Sequence, residues 1–258
     1  MVLNKLFADY KINRDRPVPY HVQVYDALER ITTSQLKPGD QLPSEPRLCE
    51  LFGVSRTVIR RALEQLDRDG LIVRIMGKGT FVAEPKIHQA LIGPLIGFYE
   101  SMVAQGYTPT SKVLQQERIE ADAKLARWLR LQTGDPIIFI SRLRYVSDVP
   151  LQLVDTFLPY SLCAPALHED FTRQSLYAFL RNVCGLHIAT GKRMIEAVLA
   201  TEEEASLLEI DPGAPLILLE SISYLENGTP LEYYRAVHRS DRTRFEVNLL
   251  HTEDGGKM

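Results

Sequence analysis

Gly53-Val-Ser-Arg-Thr-Val-Ile-Arg-Arg-Ala-Leu-Glu-Gln-Leu-Asp-Arg-Asp-Gly70 reads as one helix with a defined start, a defined stop and two unlike faces. Gly53 can close a preceding helix, and Ser55 can N-cap this one, its hydroxyl accepting a free first-turn N–H. Gly70 supplies a left-handed stop. At about 100° per residue, Val58, Ile59, Ala62, Leu63 and Leu66 share one side. Thr57, Arg60, Arg61 and Glu64 share the other, with Arg56 at its border. An apolar back, with arginines crowded toward the N-terminal end of the front, suits a helix that enters a DNA major groove by its N-terminus. The same pattern fits a solvated surface helix with incidental arginines, so the neighbouring sequence has to decide.

Upstream, Val22, Tyr25, Leu28 and Ile31 recur at helical spacing and predict a first helix over Tyr20–Ser34. A Pro38-Gly39 turn leads into Ser44-Glu-Pro-Arg-Leu-Cys-Glu-Leu-Phe52, predicted as a second helix over about 45–52. Ser44 is its candidate N-cap, and Pro46 is tolerated because first-turn N–H groups lack helical partners. Two helices joined by a short glycine-containing turn form a helix-turn-helix. Downstream, two short β-rich runs flank Gly77-Lys-Gly79 and predict a hairpin, a wing whose lysine and bare backbone can approach phosphate.

The ordered blocks Leu42-Pro-Ser-Glu-Pro-Arg-Leu48, Gly53–Leu63, Leu66 with Gly70-Leu71, and Gly77-Lys-Gly-Thr-Phe-Val82 resemble the N-terminal domain of the GntR family of bacterial transcription regulators. The resemblance covers roughly residues 18–84. It implies operator contacts from Arg47, Ser55, Arg56, Thr57, Arg60, Lys78 and Gly79. Arg60 and Arg56 have the geometry to read guanine edges, while Arg47 and Lys78 suit phosphate. Arg61, Arg68 and Arg74 are expected to be solvated or structural.

The full chain has 258 residues and a net charge of −3. Residues 1–84 carry 13 Lys+Arg against 11 Asp+Glu, or +2; the remainder carries 17 against 22, or −5. Only the front is suited to a polyanion, and the charge difference is small. Three cysteines without C-x-x-C spacing fit a reducing compartment. There is no signal-peptide pattern, and no apolar run approaches the roughly 18 residues of a membrane span. A cytoplasmic protein with no membrane association is expected.

Beyond a polar boundary near 85–90, the pattern changes. A helix is predicted over Leu91–Gln105. Strands are predicted at Val113–Ile119, Pro136–Val146, Leu151–Leu158, Met194–Leu199, Pro215–Leu225, Leu231–His238 and Arg244–Leu249. Helices are predicted over Asp122–Leu131, Ser175–Val183 and Thr201–Leu208. Hairpin-joined strands with interspersed helices imply an α+β domain around an antiparallel sheet. The expected organisation is an N-terminal arm (1–17), a winged helix-turn-helix domain (18–84), a linker (85–92), the α+β domain (93–250) and a tail (251–258).

Two hairpins repeat one pattern, Ile137-Ile-Phe-Ile-Ser-Arg-Leu-Arg-Tyr145 before Val149-Pro-Leu151 and Leu216-Ile-Leu-Leu-Glu-Ser-Ile-Ser-Tyr224 before Thr229-Pro-Leu-Glu232. With the linker helix ending Met102-Val-Ala-Gln-Gly106, this resembles the UTRA effector-binding domain of the HutC subfamily, a chorismate lyase-like fold. Arg142 and Arg144, two apart on one strand, share a sheet face. An outward face would give them ordinary salt bridges, whereas an inward face would require an anion. The resemblance implies the inward face and an effector site of Arg142, Arg144, Ser175, Glu232 and His238. His238 stands where an aromatic is more usual in some members, which leaves its role open. Tyr234 is a weaker candidate, and Tyr177 and Phe179 read as core.

The implied protein is a ligand-responsive DNA-binding regulator, in this subfamily most often a repressor. Its partners would be double-stranded operator DNA, a small-molecule effector (a sugar phosphate, amino sugar phosphate or small carboxylate) and a second copy in a homodimer. The rivals are a chorismate lyase-like enzyme and a ligand-independent DNA-binding protein. No metal-ligand cluster among the six histidines, nucleophile motif or P-loop calls for catalysis, a metal or a cofactor.

Overall fold

The computed structural model describes Phe7, residues 10–91 and residues 96–247. The chain divides into two units, Met1–Ile87 and His88–Met258.

In the first unit, α1 (Tyr20–Ser34), α2 (Glu45–Phe52) and α3 (Arg56–Arg68) pack their apolar stripes together. Leu28, Ile31, Leu48, Phe52, Ile59, Leu63 and Leu66 are all buried in one core. Gly53, at φ 64, ends α2 in the left-handed conformation that glycine adopts without a steric penalty. The wing is β1 (Ile72–Ile75) paired antiparallel with β2 (Gly79–Val82). Its inner rung, Ile72 opposite Val82, closes the helical core. Residues 39–42, expected only to turn, also edge this hairpin: Leu42 N–H donates to Thr80 O at 2.8 Å and Gly39 N–H to Val82 O at 2.9 Å.

Two local expectations change. Ser44 and Ser55 occupy N-cap positions with extended backbone, but neither hydroxyl caps its helix. The expected arm contributes to the core, because Phe7 is fully buried with its ring edge-on to Phe52 at 6.4 Å. The rest of residues 1–9 and the tail expected at 251–258 lie outside the described residues.

The second unit is built on a six-stranded antiparallel sheet. Its strands are β4 (Pro109–Glu120), β5 (Pro136–Val146), β6 (Val149–Pro159), β7 (Ile188–Leu199), β8 (Pro215–Leu225) and β9 (Pro230–Arg239), in the order β4-β5-β6-β9-β8-β7. The chain runs this course as two halves, each strand, helix, strand, strand. In the first, α5 (Ala123–Leu129) follows β4 and is capped by Asp122, whose carboxylate accepts from Leu125 N–H at 2.7 Å. In the second, α8 (Glu202–Leu208) follows β7 and opens with a capping box between Thr201 and Glu204. Thus Glu204 closes a helix start, as its place in an acidic first turn suggests. Both helices pack on the face of the sheet that carries Ile137, Tyr233 and Leu216. Phe139, Phe157, Tyr233 and Trp128 stack in succession there, with ring centroids 5.1, 5.8 and 6.0 Å apart.

The opposite face carries α7 (Leu176–Asn182), the short turns of α6 (Tyr160–Cys163) and Ala164–Leu167, and Phe171. Near it lie α4 (Phe98–Ala104), β3 (Ile87–Ala90) and β10 (Thr243–Glu246), the last two paired as a separate ribbon. Within the expected linker, residues 87–90 are a strand, and Leu91, where a helix is expected to begin, instead donates its N–H to Glu246 O at 3.0 Å. Four residues with a partner more than 150 positions away carry no local signature. The last strand is described over Thr243–Glu246, and its expected extension to Leu249 lies outside the described residues.

Candidate functional site

In the first unit, the exposed front of α3 places Arg56, Thr57 and Arg60 in solvent with the unused Ser55 hydroxyl. Glu45 at the start of α2 organises the surface between helix and wing. Its carboxylate accepts from Arg56 Nε at 3.1 Å and from Arg74 Nη2 at 2.7 Å. Arg74, expected to be solvated or structural, therefore ties β1 to both helices. Arg47 is exposed and pairs with Glu50 at 2.6 Å. Arg60 makes no hydrogen bond or ion pair among the described residues, so all its donors face water.

The wing tip is held by Gln41, whose Nε2 donates to the Lys78 carbonyl at 2.9 Å. The exposed Lys78 side chain is free to extend past it. At Gly79, φ is +125, and a Cβ there would stand 2.5 Å from Gln41 Nε2. The positive φ disfavours any side chain, and a Cβ would also push aside the Gln41 amide that holds the tip, a structural reason for this glycine beside the expected DNA contact.

In the second unit, a cavity of about 130 Å³ opens on the face of the sheet away from α5 and α8. Register explains its floor. Arg144 lies opposite Gln152, which lies opposite His238; Arg142 lies opposite Val154, which lies opposite Ala236. Arg142 and Arg144 therefore point inward, and Glu232, Tyr234, Ala236 and His238 share that face along β9. Gln89 and Ala90 of β3, Phe98 and Met102 of α4, and Phe245 of β10 complete the enclosure.

Arg144, Glu232 and His238 line the cavity. Arg142 lies behind its wall, 1% exposed, with Nη2 3.4 Å from Thr156 Oγ1 and its guanidinium 5.5 Å from the Phe171 ring centre. Ser175 does not line the cavity: its oxygen accepts from Ala178 N–H at 3.1 Å and caps α7. Its neighbours Leu176 and Tyr177 provide the lining instead. Tyr177, read as core from the sequence, donates from its hydroxyl to Glu232 Oε2 at 2.7 Å. Phe179 is core, edge-on to Phe171. Gln89, Gln152, Thr156 and Arg193 are further lining residues that sequence reasoning missed. Only strand register and the β3–β10 ribbon bring them to the cavity.

Burial and charge act together on these groups. Burial raises the Glu232 pKa, against the lowering effects of the Tyr177 hydrogen bond and the two arginines. Burial lowers the pKa of both Arg142 and Arg144, and Arg144 lowers that of Arg142 further. Several polar atoms around the cavity are buried without a partner among the described residues: Arg142 Nε, Gln152 Oε1, Gln89 Nε2 and both ring nitrogens of His238. Native interiors rarely leave such groups unsatisfied. Their convergence on one cavity is the arrangement expected of a polar ligand site.

His238 is held neutral. Burial, then the positive charges of Arg144 and Arg193, take its pKa from 6.5 down to about 3. The unfolded chain binds this proton from about pH 6.5 downward, the folded chain only near 3, so stability is lost as pH falls below 6.5. At pH 5 the loss from this residue is about 2 kcal/mol, at about 1.4 kcal/mol per pH unit. Replacement His238→Gln is expected to remove that portion of the acid sensitivity. Urea unfolding at pH 8 and pH 5, followed by the single tryptophan, Trp128, measures it. Equal losses in both proteins would refute the assignment.

The family "Bacterial regulatory proteins, gntR family" matches residues 21–82, and the UTRA domain family matches residues 104–244. The HTH-type transcriptional repressor NagR of Bacillus subtilis (strain 168) is 37% identical over 235 residues, spanning 91% of this chain and 96% of that protein. The histidine utilization repressor of Pseudomonas putida is 32% identical over 231 residues, spanning 89% and 92%. Among solved structures, PhnF from Mycobacterium smegmatis aligns with a TM-score of 0.65 at 31% identity, covering 89% of this chain and 100% of that chain.

Proposed function

Since the chain belongs to the GntR family of bacterial regulatory proteins and carries a UTRA domain, we propose that it is a homodimeric repressor whose grip on operator DNA is controlled by a small anion. The GntR domain implies DNA binding, and the UTRA domain implies a small-molecule effector. On this reading Arg60 and Arg56 read base edges. Ser55, Thr57, Arg47, Lys78 and the backbone at Gly79 hold the phosphates. A homodimer presents two such helices to the halves of a pseudo-palindromic site.

The observation that carries the effector reading is the mismatch of charge around the cavity. Arg142 and Arg144 face a single carboxylate, Glu232, which Tyr177 already engages, while His238 stays neutral. An anionic ligand supplies the missing negative charge, and the unpaired polar atoms beside it suit the rest of a hydrogen-bonding molecule. A sugar phosphate, an amino sugar phosphate or a small carboxylate has this chemistry. Relatives named as repressors support the DNA-bound state as the silencing one, and release of DNA is the response proposed for the effector.

The test measures binding of the purified protein to DNA from its own promoter region by fluorescence anisotropy, with sugar phosphates, small carboxylates and their uncharged analogues added in turn. Release is expected with one anionic class and with none of the neutral analogues. Operator binding that ignores every anion, together with no thermal shift, would overturn effector control.

A further inference from the structure

Arg193 lies on β7, an edge strand most of whose residues are exposed, yet its side chain lines the cavity. Its register partner is Ser221 on β8. One side of the guanidinium is committed: Nη1 donates to the carbonyls of Ala90 at 3.2 Å and Leu91 at 3.0 Å. Its Nε is buried and has no partner among the described residues. The two carbonyls lie at the end of β3, where the second unit begins at His88. That segment is tied down elsewhere through polar links. Leu91 N–H donates to Glu246 O at 3.0 Å, His88 Nδ1 meets Glu246 Oε1 at 2.7 Å, and Gln105 Nε2 donates to His88 O at 3.0 Å.

From this geometry we infer that Arg193 is a third arginine of the anion site and the positioning residue through which an occupied cavity fixes the segment leading to the DNA-binding unit. The inference rests on the effector reading above. A guanidinium is a rigid planar fork, so orienting one edge orients the others. An anion at Nε can bond that edge without displacing the carbonyls from Nη1. It supplies the partner that Nε lacks, and charge-assisted bonds of this kind are the stronger ones. The anion therefore binds best to the arrangement in which Ala90 and Leu91 are held. By linkage, it stabilises that arrangement to the same degree.

The test uses the full chain, inorganic phosphate as the probe, thermal shift to report binding and amide hydrogen exchange to report residues 87–91. In the unsubstituted protein, phosphate is expected to raise Tm and to slow exchange in that segment at least about fivefold, the lower end of ordinary coupling between sites. In Arg193→Gln, phosphate is expected still to raise Tm through Arg144 and Arg142, but by less than in the unsubstituted protein, while the slowing falls below about twofold. The ligand-dependent change is the readout, so a general loosening of the segment by the substitution does not imitate the result. Arg193→Lys keeps the charge but not the fork and is expected not to restore the coupling. Retained coupling in Arg193→Gln, or its restoration in Arg193→Lys, would overturn the inference and leave the effector site standing. No thermal shift with phosphate in the unsubstituted protein, matching Arg144→Ala, would overturn this inference, while the effector reading stands or falls on the wider set of anions named above.

Discussion

Arg60→Ala is expected to weaken operator binding by about 5- to 150-fold per half-site, because a bidentate arginine–guanine pair carries about 1–3 kcal/mol of discrimination. Arg60 is exposed and makes no bond within the described protein, so its removal should leave the fold intact. The effect should therefore be confined to specific DNA, with binding to a scrambled duplex nearly unchanged. Arg47→Ala should behave differently. A phosphate interaction contributes equally on any sequence, so affinity should drop on both duplexes and the salt dependence should flatten by about one charge. Anisotropy titrations over a range of salt separate the two. An equal drop on both duplexes for Arg60→Ala would remove it from base readout.

The second large effect has opposite signs in two measurements. Arg142 is almost wholly buried, has no ion pair among the described residues, and holds only one long bond to Thr156. Glu232, the anion nearest in electrostatic effect, is engaged by Tyr177 and by Ser223. A buried charge in this position opposes folding, and well-packed apolar replacements of buried ionic groups are often stabilising by about 1–4 kcal/mol. Arg142→Met is thus expected to raise the stability of the ligand-free protein by that order while weakening its response to anions. Urea unfolding followed through Trp128 tests the first part, and thermal shift with phosphate tests the second. A destabilised Arg142→Met would show that the arginine serves packing. An unaltered anion response would remove it from the site. The combination of a costly group with a functional return is characteristic of binding sites.

What was legible in the sequence follows the range of the interactions involved. The first unit announces itself locally. Gly53, Pro46, Gly70 and the wing glycines punctuate segments whose apolar spacing is complete within a dozen residues. In the second unit, the period of two along β5 placed Arg142 and Arg144 on a common face, but not which face. That choice came from family resemblance, and the register of β5 with β6 and β9 gives its physical basis. Tyr177 looked like core because its helix is apolar; its hydroxyl finds Glu232 across 55 positions. Arg193 was hidden for a different reason. Strand order sets β7 beside β8 at the far edge, and nothing in the mixed sequence of that strand distinguishes the side chain that turns toward the cavity. Ser175 was identified by position in the motif, whereas its oxygen already serves the first turn of α7.

The β3–β10 ribbon also decides where this protein can be cut. Residues 87–91 look like a tether, and a fragment beginning at 93 would follow the most obvious boundary in the sequence. Such a fragment would lack Gln89 and Ala90 from the cavity lining, together with both carbonyls that engage Arg193. It would also leave β10 without its strand partner. A fragment meant to retain binding should therefore begin upstream of Ile87.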